Sequence, residues 1–302
     1  MATKTPKVQA PVLEGANDVR LKGGRWWGKV GWKHVLAVFI IAYAIFPLLY
    51  VLSASLSPGG TLTGSARLFS EISLVNYSEL MDGRFPKWML NSLVVSSASA
   101  IGTVVMGAAA AYAFSRFRFS GRRGGLTALL IIQMFPQMLA FVAIFLLLLT
   151  LGDVFPQLGI GSHLALIAVY LGGALGANTF LMYGFFNTIP RDLDEAAKID
   201  GATHAQIFWG MIMRLVTPIL AVVGLLSFVS TYGEFILARI VLNRPDTYTL
   251  AVGLYVWASD ERNAPWSLFA AGAVIAAIPI IALFIYLQKY IVAGLTAGSV
   301  KG

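Results

Sequence analysis

The chain contains no cysteine, three histidines, and only 14 acidic residues among 302. Without cysteine, disulfides and thiolate metal sites are excluded, and the redox compartment goes unreported. His34, His163 and His204 are dispersed with no partner at ligand spacing, and no His-Glu-x-x-His occurs, so no metal site is expected. Charged residues make up 12% of the chain against 58% hydrophobic ones, and the mean hydropathy is +0.76. Such scarcity of charge excludes an ordinary soluble domain. Catalysis is not expected either. Ser162 and His163 have the residue types of a nucleophile and its base, but those roles need convergent geometry rather than adjacency. Ser162 reads instead as the cap of the helix that follows.

What the chain has in quantity is apolar length. A hydrocarbon core about 30 Å thick takes about 20 apolar residues of helix to cross. Six stretches qualify, at 35–56, 88–114, 126–150, 164–186, 215–237 and 266–286. Backbone groups in lipid must be satisfied within the segment, so helices are the expected form. The expected fold is an all-α membrane protein with six transmembrane helices over residues 34–292. A basic tail, 1–33, precedes them and a short tail, 293–302, follows.

The net charge of +8 is spread unevenly. Lys4, Lys7, Arg20, Lys22, Arg25, Lys29 and Lys33 lie before the first span. Arg116, Arg118, Arg122 and Arg123 join spans two and three, while the link between spans three and four has no Lys or Arg. Arg191, Lys198, Arg214, Lys289 and Lys301 continue the alternation. By the positive-inside rule both termini are cytoplasmic. Nucleic acid is not an expected partner, because these cations share no folded surface and no interleaved stacking residues. The first 33 residues show no cleavage signal, so span one is expected to serve as an uncleaved anchor. Trp26, Trp27 and Trp32 suit the aromatic belt before it.

Several local features point to packing. Span two is rich in Ser and Ala, which let helices approach closely, and Gly172-x-x-x-Gly176 in span four has the same character. No internal repeat is visible, which counts against transporters built from inverted halves. Residues 57–87, with Pro58-Gly59-Gly60 and Pro86, read as an outer loop with one short helix. Pro47 reads as a tolerated kink. Pro136 lies between Gln133 and Gln137, amides that either pack or line a translocation path. Glu234 is the one carboxylate inside a span. It either marks a pathway or is neutralised, with Arg239 as a partner one turn on. Residues 23–30 imitate a phosphate-binding loop but place Val30 where Ser or Thr would hold magnesium, so the chain is not expected to bind ATP. The outer connection 243–265 mixes Tyr248, Tyr255 and Trp257 with Asp260, Glu261 and Arg262, a composition common at protein interfaces.

The most informative segment is polar and runs from Arg191 to Phe208. Asp192, three residues before Glu195, can open a short helix as a capping box. Asp200-Gly201 supplies a turn that ends it, and Thr203-x-x-Gln206 is a second capping box. The reading is helix, tight turn, helix, facing the cytoplasm. Glu195, Ala196, Ala197, Asp200, Gly201, Ala202, Phe208 and Pro218 resemble the EAA loop of permease subunits in binding-protein-dependent ABC importers. The family's first proline is replaced here by Arg214, which is expected to keep that entry helical and to place a cation at the lipid interface. Residues 111–114, 133–136, 170–173, 248–253 and 294–302 extend the resemblance to MalG-type permeases of maltose importers over nearly the whole chain.

That resemblance implies a type I ABC importer permease fold and a bacterial inner-membrane location. Its implied partners are a second, MalF-like permease, two MalK-like ATP-binding subunits and an extracytoplasmic sugar-binding protein. ATP and magnesium belong to the ATPase subunits, and this chain binds no cofactor. The residues named at 195–208 imply coupling to those subunits over a loop at 191–218. Val300, Lys301 and Gly302 imply a tail contact with them. Tyr255, Val256, Trp257, Ala258, Ser259 and Asp260 imply a loop that enters the binding protein. The implied cargo is maltose, maltodextrin or a related oligosaccharide, with the membrane sugar site mainly on the other permease. A non-sugar solute is the nearest alternative, and an ion-coupled transporter using Glu234 is a third.

Overall fold

The structure is a computed structural model and describes residues 27–58, 68–259 and 264–299. Every regular element among them is helical. Expectations on Lys4, Lys7, Arg20, Lys22, Arg25, Trp26 and the loop at 23–30, on Gly59-Gly60, on Asp260, Glu261 and Arg262, and on Val300, Lys301 and Gly302 lie outside the described residues.

The chain divides into two compact units, Met1–Tyr50 and Val51–Gly302. In the first, a π-helical turn, Trp27–Gly31, leads into α1, Trp32–Leu56, which continues into the second unit. The helix is apolar all round, as a segment made for lipid must be. Pro47 stays inside it.

The second unit opens with the short α2, Val75–Asp82, tied to the end of α1. Asn76 donates to the carbonyls of Ser55 and Ser57, both at 2.9 Å. Then come α3, Phe85–Arg116; α4, Arg122–Gln133; α5, Gln137–Val154; and α6, His163–Phe186. The polar segment holds α7, Asp192–Ile199, and α8, His204–Leu215, followed by α9, Thr217–Tyr232. Two short helices, α10, Ile236–Val241, and α11, Leu250–Ala258, lead to the long α12, Trp266–Ser299. Among the described residues α1, α3, α5, α6 and α12 are long and apolar enough to cross a membrane. The count reaches six if α8 and α9, which meet at an 80° bend, are taken together as one span. Arg214 is helical and exposed, and the bend falls after Leu215 at Val216, with Pro218 in the first turn of α9.

The centre of this unit is α3. It buries Ser92, Ser96, Ser99, Ala100, Gly107, Ala108 and Ala111, and its main neighbours are α6 and α9. Small side chains let the backbones close up, as the sequence predicts. A methyl at Gly102 would stand 2.6 Å from Leu171 of α6. The hydroxyl of Ser227 on α9 donates to Thr103 on α3 at 3.2 Å. Ser162 caps α6 as expected, accepting from the amides of Leu164 and Ala165 at 3.1 and 3.5 Å.

Two spans that read as continuous are broken. The run 126–150 stops at Gln133 and resumes at Gln137, with Pro136 in an extended conformation. Pro136 has no N–H and crowds the preceding turn, so the ladder ends there. Gln133 closes the gap against α6. Its amide nitrogen donates to Gly173 O at 3.2 Å and its oxygen accepts from Ala177 N at 2.9 Å. Gln133 thus ties α4 to α6. The glycine pair 172/176 does not join two backbones as predicted. Gly176 makes room for the Gln133 side chain, while Gly172 has nothing within 4 Å of an added methyl.

The second break corrects the placement of Glu234. Helix α9 ends at Tyr232, and Glu234 lies in the link before α10. Its carboxylate accepts from Leu237 N at 2.8 Å, Ala238 N at 3.0 Å and the Tyr170 hydroxyl of α6 at 2.6 Å. The free N–H groups opening α10 claim the carboxylate, because such groups are costly to leave unpaired away from water. Arg239 turns instead to Tyr248, with its guanidinium 5.7 Å from the ring centre.

At the N-terminal end of α3, Trp88 is buried and pinned by a 2.8 Å bond from Nε1 to Pro245 O. Gly253 of α11 lies against its ring, so close that an added methyl would stand 2.1 Å from it. Gly253→Ala is expected to lower the melting temperature in detergent, at an overpacking cost of about 1–3 kcal/mol. Gly172→Ala should leave it unchanged. Differential scanning fluorimetry of both variants checks the pair, and equal melting temperatures would contradict this packing.

Candidate coupling site

The C-terminal ends of α3 and α6 lie together at one pole of the unit, and the polar segment packs onto them. Helix α7 begins at Asp192 with Arg191 before it and no side-chain cap, so the capping box predicted for Asp192 does not form. Asp192, Asp194 and Glu195 occupy the first turn, where carboxylates complement the positive end of the helix dipole. The helix closes in a Schellman motif. Ala202 N bonds to Ala197 O at 2.9 Å and Gly201 N to Lys198 O at 3.0 Å, with Gly201 at φ +83°. A methyl on Gly201 would meet nothing, so the left-handed backbone explains this glycine and crowding does not.

The second capping box forms as predicted. Gln206 N donates to Thr203 Oγ1 at 3.3 Å and Thr203 N donates to Gln206 Oε1 at 2.8 Å. A π-helical stretch, Ile207–Ile212, follows and buries Ile207, Phe208 and Ile212 on one side. They join Ala108, Ala111 and Tyr112 of α3 and Met182 and Phe186 of α6 in a single apolar core. Aromatic contacts tie α8 to α3. Tyr112 lies 5.1 Å from Phe208 between ring centres, and Phe117 lies 5.0 Å from His204.

Helix α7 has two faces. Asp194 and Ala197 are buried, whereas Leu193, Glu195, Ala196, Lys198 and Ile199 are exposed, Ile199 by 87%. Asp194 pairs with Arg116, with Nε and Oδ2 at 2.9 Å and side chains 6% and 7% exposed. The N–H direction misses the oxygen, so the contact is an ion pair without an aligned hydrogen bond. Asp194 Oδ1 has no partner among the described residues. Arg116 also donates to Phe186 O at 3.3 Å and Ile189 O at 3.2 Å, and Arg191 donates to Ser115 O at 2.7 Å. Ser115 donates in turn to Asn187 at 2.9 Å. Sequence reading missed both Arg116 and Asp194. Their one signal was the spacing of Asp194 and Ala197, which share the inward face of a short helix.

The structure brings Ala197, Ala202 and Phe208 into one core and leaves Glu195, Ala196, Asp200 and Gly201 on its surface. The predicted binding-protein residues lie at the opposite pole. Tyr255 and Val256 are exposed, Ala258 is half-buried, and Ser259 Oγ donates to Val256 O at 2.9 Å. Trp257 is anchored, 5.0 Å from Trp88 and stacked at 6.4 Å on Phe85. A cavity of about 520 Å³ opens there, lined by Trp257, Val256, Tyr248 and the carboxylates Glu79 and Asp82. Gln137 is exposed beside the break in span three.

Residues 102–297 match the family described as binding-protein-dependent transport system inner membrane component. The chain belongs to that family. It is 40% identical over 89% of its length to the galactooligosaccharides transport system permease protein GanQ of Bacillus subtilis, covering 94% of that protein. It is 41% identical over 89% of its length to the maltose/maltodextrin transport system permease protein MalG of Escherichia coli, covering 95% of it. In fold, it superimposes with a TM-score of 0.76 on a chain of a bacterial ABC transporter involved in the import of the acidic polysaccharide alginate. That match covers 89% of this chain and 99% of the other at 24% identity. The all-helical fold of this permease is thus that of an ABC importer subunit.

The two faces of α7 give a direct test of the geometry. Because the permease has no cysteine of its own, single replacements report cleanly. Maleimide should modify Ile199→Cys at least tenfold faster than Ala197→Cys in detergent. Equal rates would contradict the burial of that face.

Proposed function

We propose that this chain is the permease subunit of an ATP-driven importer for maltose, maltodextrin or a related oligosaccharide. In this reading segment 191–218 is its coupling element. The observation that carries the reading is α7 itself, a short rigid helix with one face anchored on α3 and α6 and the other bare. A bare face with Ile199 at 87% exposure fits a surface made to be covered by protein. The occupant is an ATP-binding subunit. Glu195, Ala196, Asp200 and Gly201 meet it directly, Ala197, Ala202 and Phe208 seat the helix behind them, and Val300, Lys301 and Gly302 extend the contact.

Closure of the two ATP-binding subunits around ATP and magnesium displaces α7, and the attached spans rock between inward-open and outward-open states. Such alternating access is a two-state equilibrium biased by differential contacts. A second, homologous permease completes the membrane pair. An extracytoplasmic binding protein docks at the opposite pole through Tyr255, Val256, Trp257, Ala258, Ser259 and Asp260, of which Val256 and Trp257 line the cavity beside Trp88 and Tyr248. The basic connections support a cytoplasmic position for α7 and both termini. The sugar class is supported by relatives named for galacto-oligosaccharide and maltodextrin transport. An ion-coupled mechanism through Glu234 is disfavoured, because its carboxylate already accepts three hydrogen bonds.

Glu195→Lys or Gly201→Pro is expected to lower uptake of labelled maltodextrin into vesicles at least tenfold, with the amount of inserted chain unchanged. Unaltered uptake would sink the coupling role. Asp200→Cys should react with an impermeant maleimide in inside-out vesicles and not in right-side-out ones, which checks the orientation. Uptake that persists without any ATP-binding subunit would refute the ABC mechanism.

A further inference from the structure

We propose that the buried Arg116–Asp194 pair is the tie that carries movement of α7 into the joined ends of α3 and α6. Docking and transmission then sit on different residues of one short helix. This inference rests on the coupling reading above and names its internal linkage.

Three observations carry it. First, α7 has eight residues, and only Asp194 and Ala197 are buried. An alanine methyl offers little grip, so the ion pair with Arg116 is the main hold on the helix itself, with the Arg191–Ser115 bond beside it. Second, Arg116 ends α3 and reaches three elements at once. It meets Asp194 on α7 at 2.9 Å and the carbonyls of Phe186 and Ile189 at and after the end of α6. A displacement of Asp194 therefore loads two spans through one guanidinium. Third, the carboxylate is held by charge and not by aligned hydrogen bonds, and Oδ1 is unpartnered. An oxygen with no partner among the described residues leaves the carboxylate a second way to meet the guanidinium as α7 moves, which a two-position linkage requires. Arg191, bonded to Ser115 O, shortens the same path.

The test uses the whole importer: this chain with its second permease, ATP-binding subunits and binding protein. Asp194→Asn removes the charge and keeps the shape. Removing one partner of a buried pair can itself impair folding, so the double variant Arg116→Gln/Asp194→Asn is measured beside it. Replacing both charges by neutral groups is often tolerated structurally. Expected for both variants are ATP-binding subunits retained at wild-type stoichiometry and a loss of at least tenfold in maltodextrin uptake. Hydrolysis stimulated by the binding protein should fall by the same factor. Asp194→Glu should restore at least half of wild-type uptake.

A merely structural pair predicts otherwise, with the neutral double variant recovering uptake or with uptake falling only in proportion to assembled complex. Either result overturns the proposal. If the wild-type chain fails to retain ATP-binding subunits at all, the coupling reading falls and takes this inference with it. If the wild type retains them and Asp194→Asn still transports, the tie falls alone.

Discussion

In an apolar slab every polar backbone group has to find its partner inside the chain, and that constraint organises this structure. Continuous helices satisfy it by themselves. The broken spans do not, and both are mended against the same stretch of α6. Gln133 spans the gap at Pro136 by bonding to Gly173 and Ala177. Glu234 caps α10 after the break at Gly233 while accepting from Tyr170. Helix α6 thus acts as a splint for two neighbours, and α3 can lie close beside it because its contact face is made of Ser, Ala and Gly. Gln133 and Glu234, the polar side chains at the two breaks, both bond to α6.

The same economy governs the inner pole. A short helix outside the slab has water for its own backbone, so it needs little burial to persist. Schellman closure at Gly201 and the capping box at Thr203 and Gln206 satisfy the ends that face one another across the turn. What remains is to attach the helix to the spans, and a core of Phe208, Ile212 and Tyr112 does this for α8. For α7 the attachment is electrostatic. A charge pair at this depth adds little net stability because its desolvation cost is large, so its presence points to geometry rather than to folding energy.

Much of this was legible in the sequence. Apolar length located α1, α3, α5, α6 and α12, the Ser and Ala content of residues 96–111 placed α3 at the centre, and Thr203-x-x-Gln206 and Gly201 fixed the turn residue by residue. Other features were hidden for physical reasons. Hydropathy averages over a window, so it passes smoothly across Gly233 and Glu234, where the chain actually breaks. The partners of Glu234 are backbone amides, which carry no residue identity, so Arg239 looked like the better match. Asp194 was masked by its neighbours, since three carboxylates in one helical turn all suit the dipole and only contact with Arg116 singles one out.

The bare Ile199 has a consequence for the cell as well as for transport. Ile199 is 87% open to solvent and Leu193 on the same helix is 40% exposed. On the coupling reading proposed above, a copy made in excess of its companions would carry these side chains uncovered, a flag of the kind that chaperones and proteases read on incomplete proteins. Balanced synthesis of the subunits would then be favoured by the same surface that the proposal gives to docking.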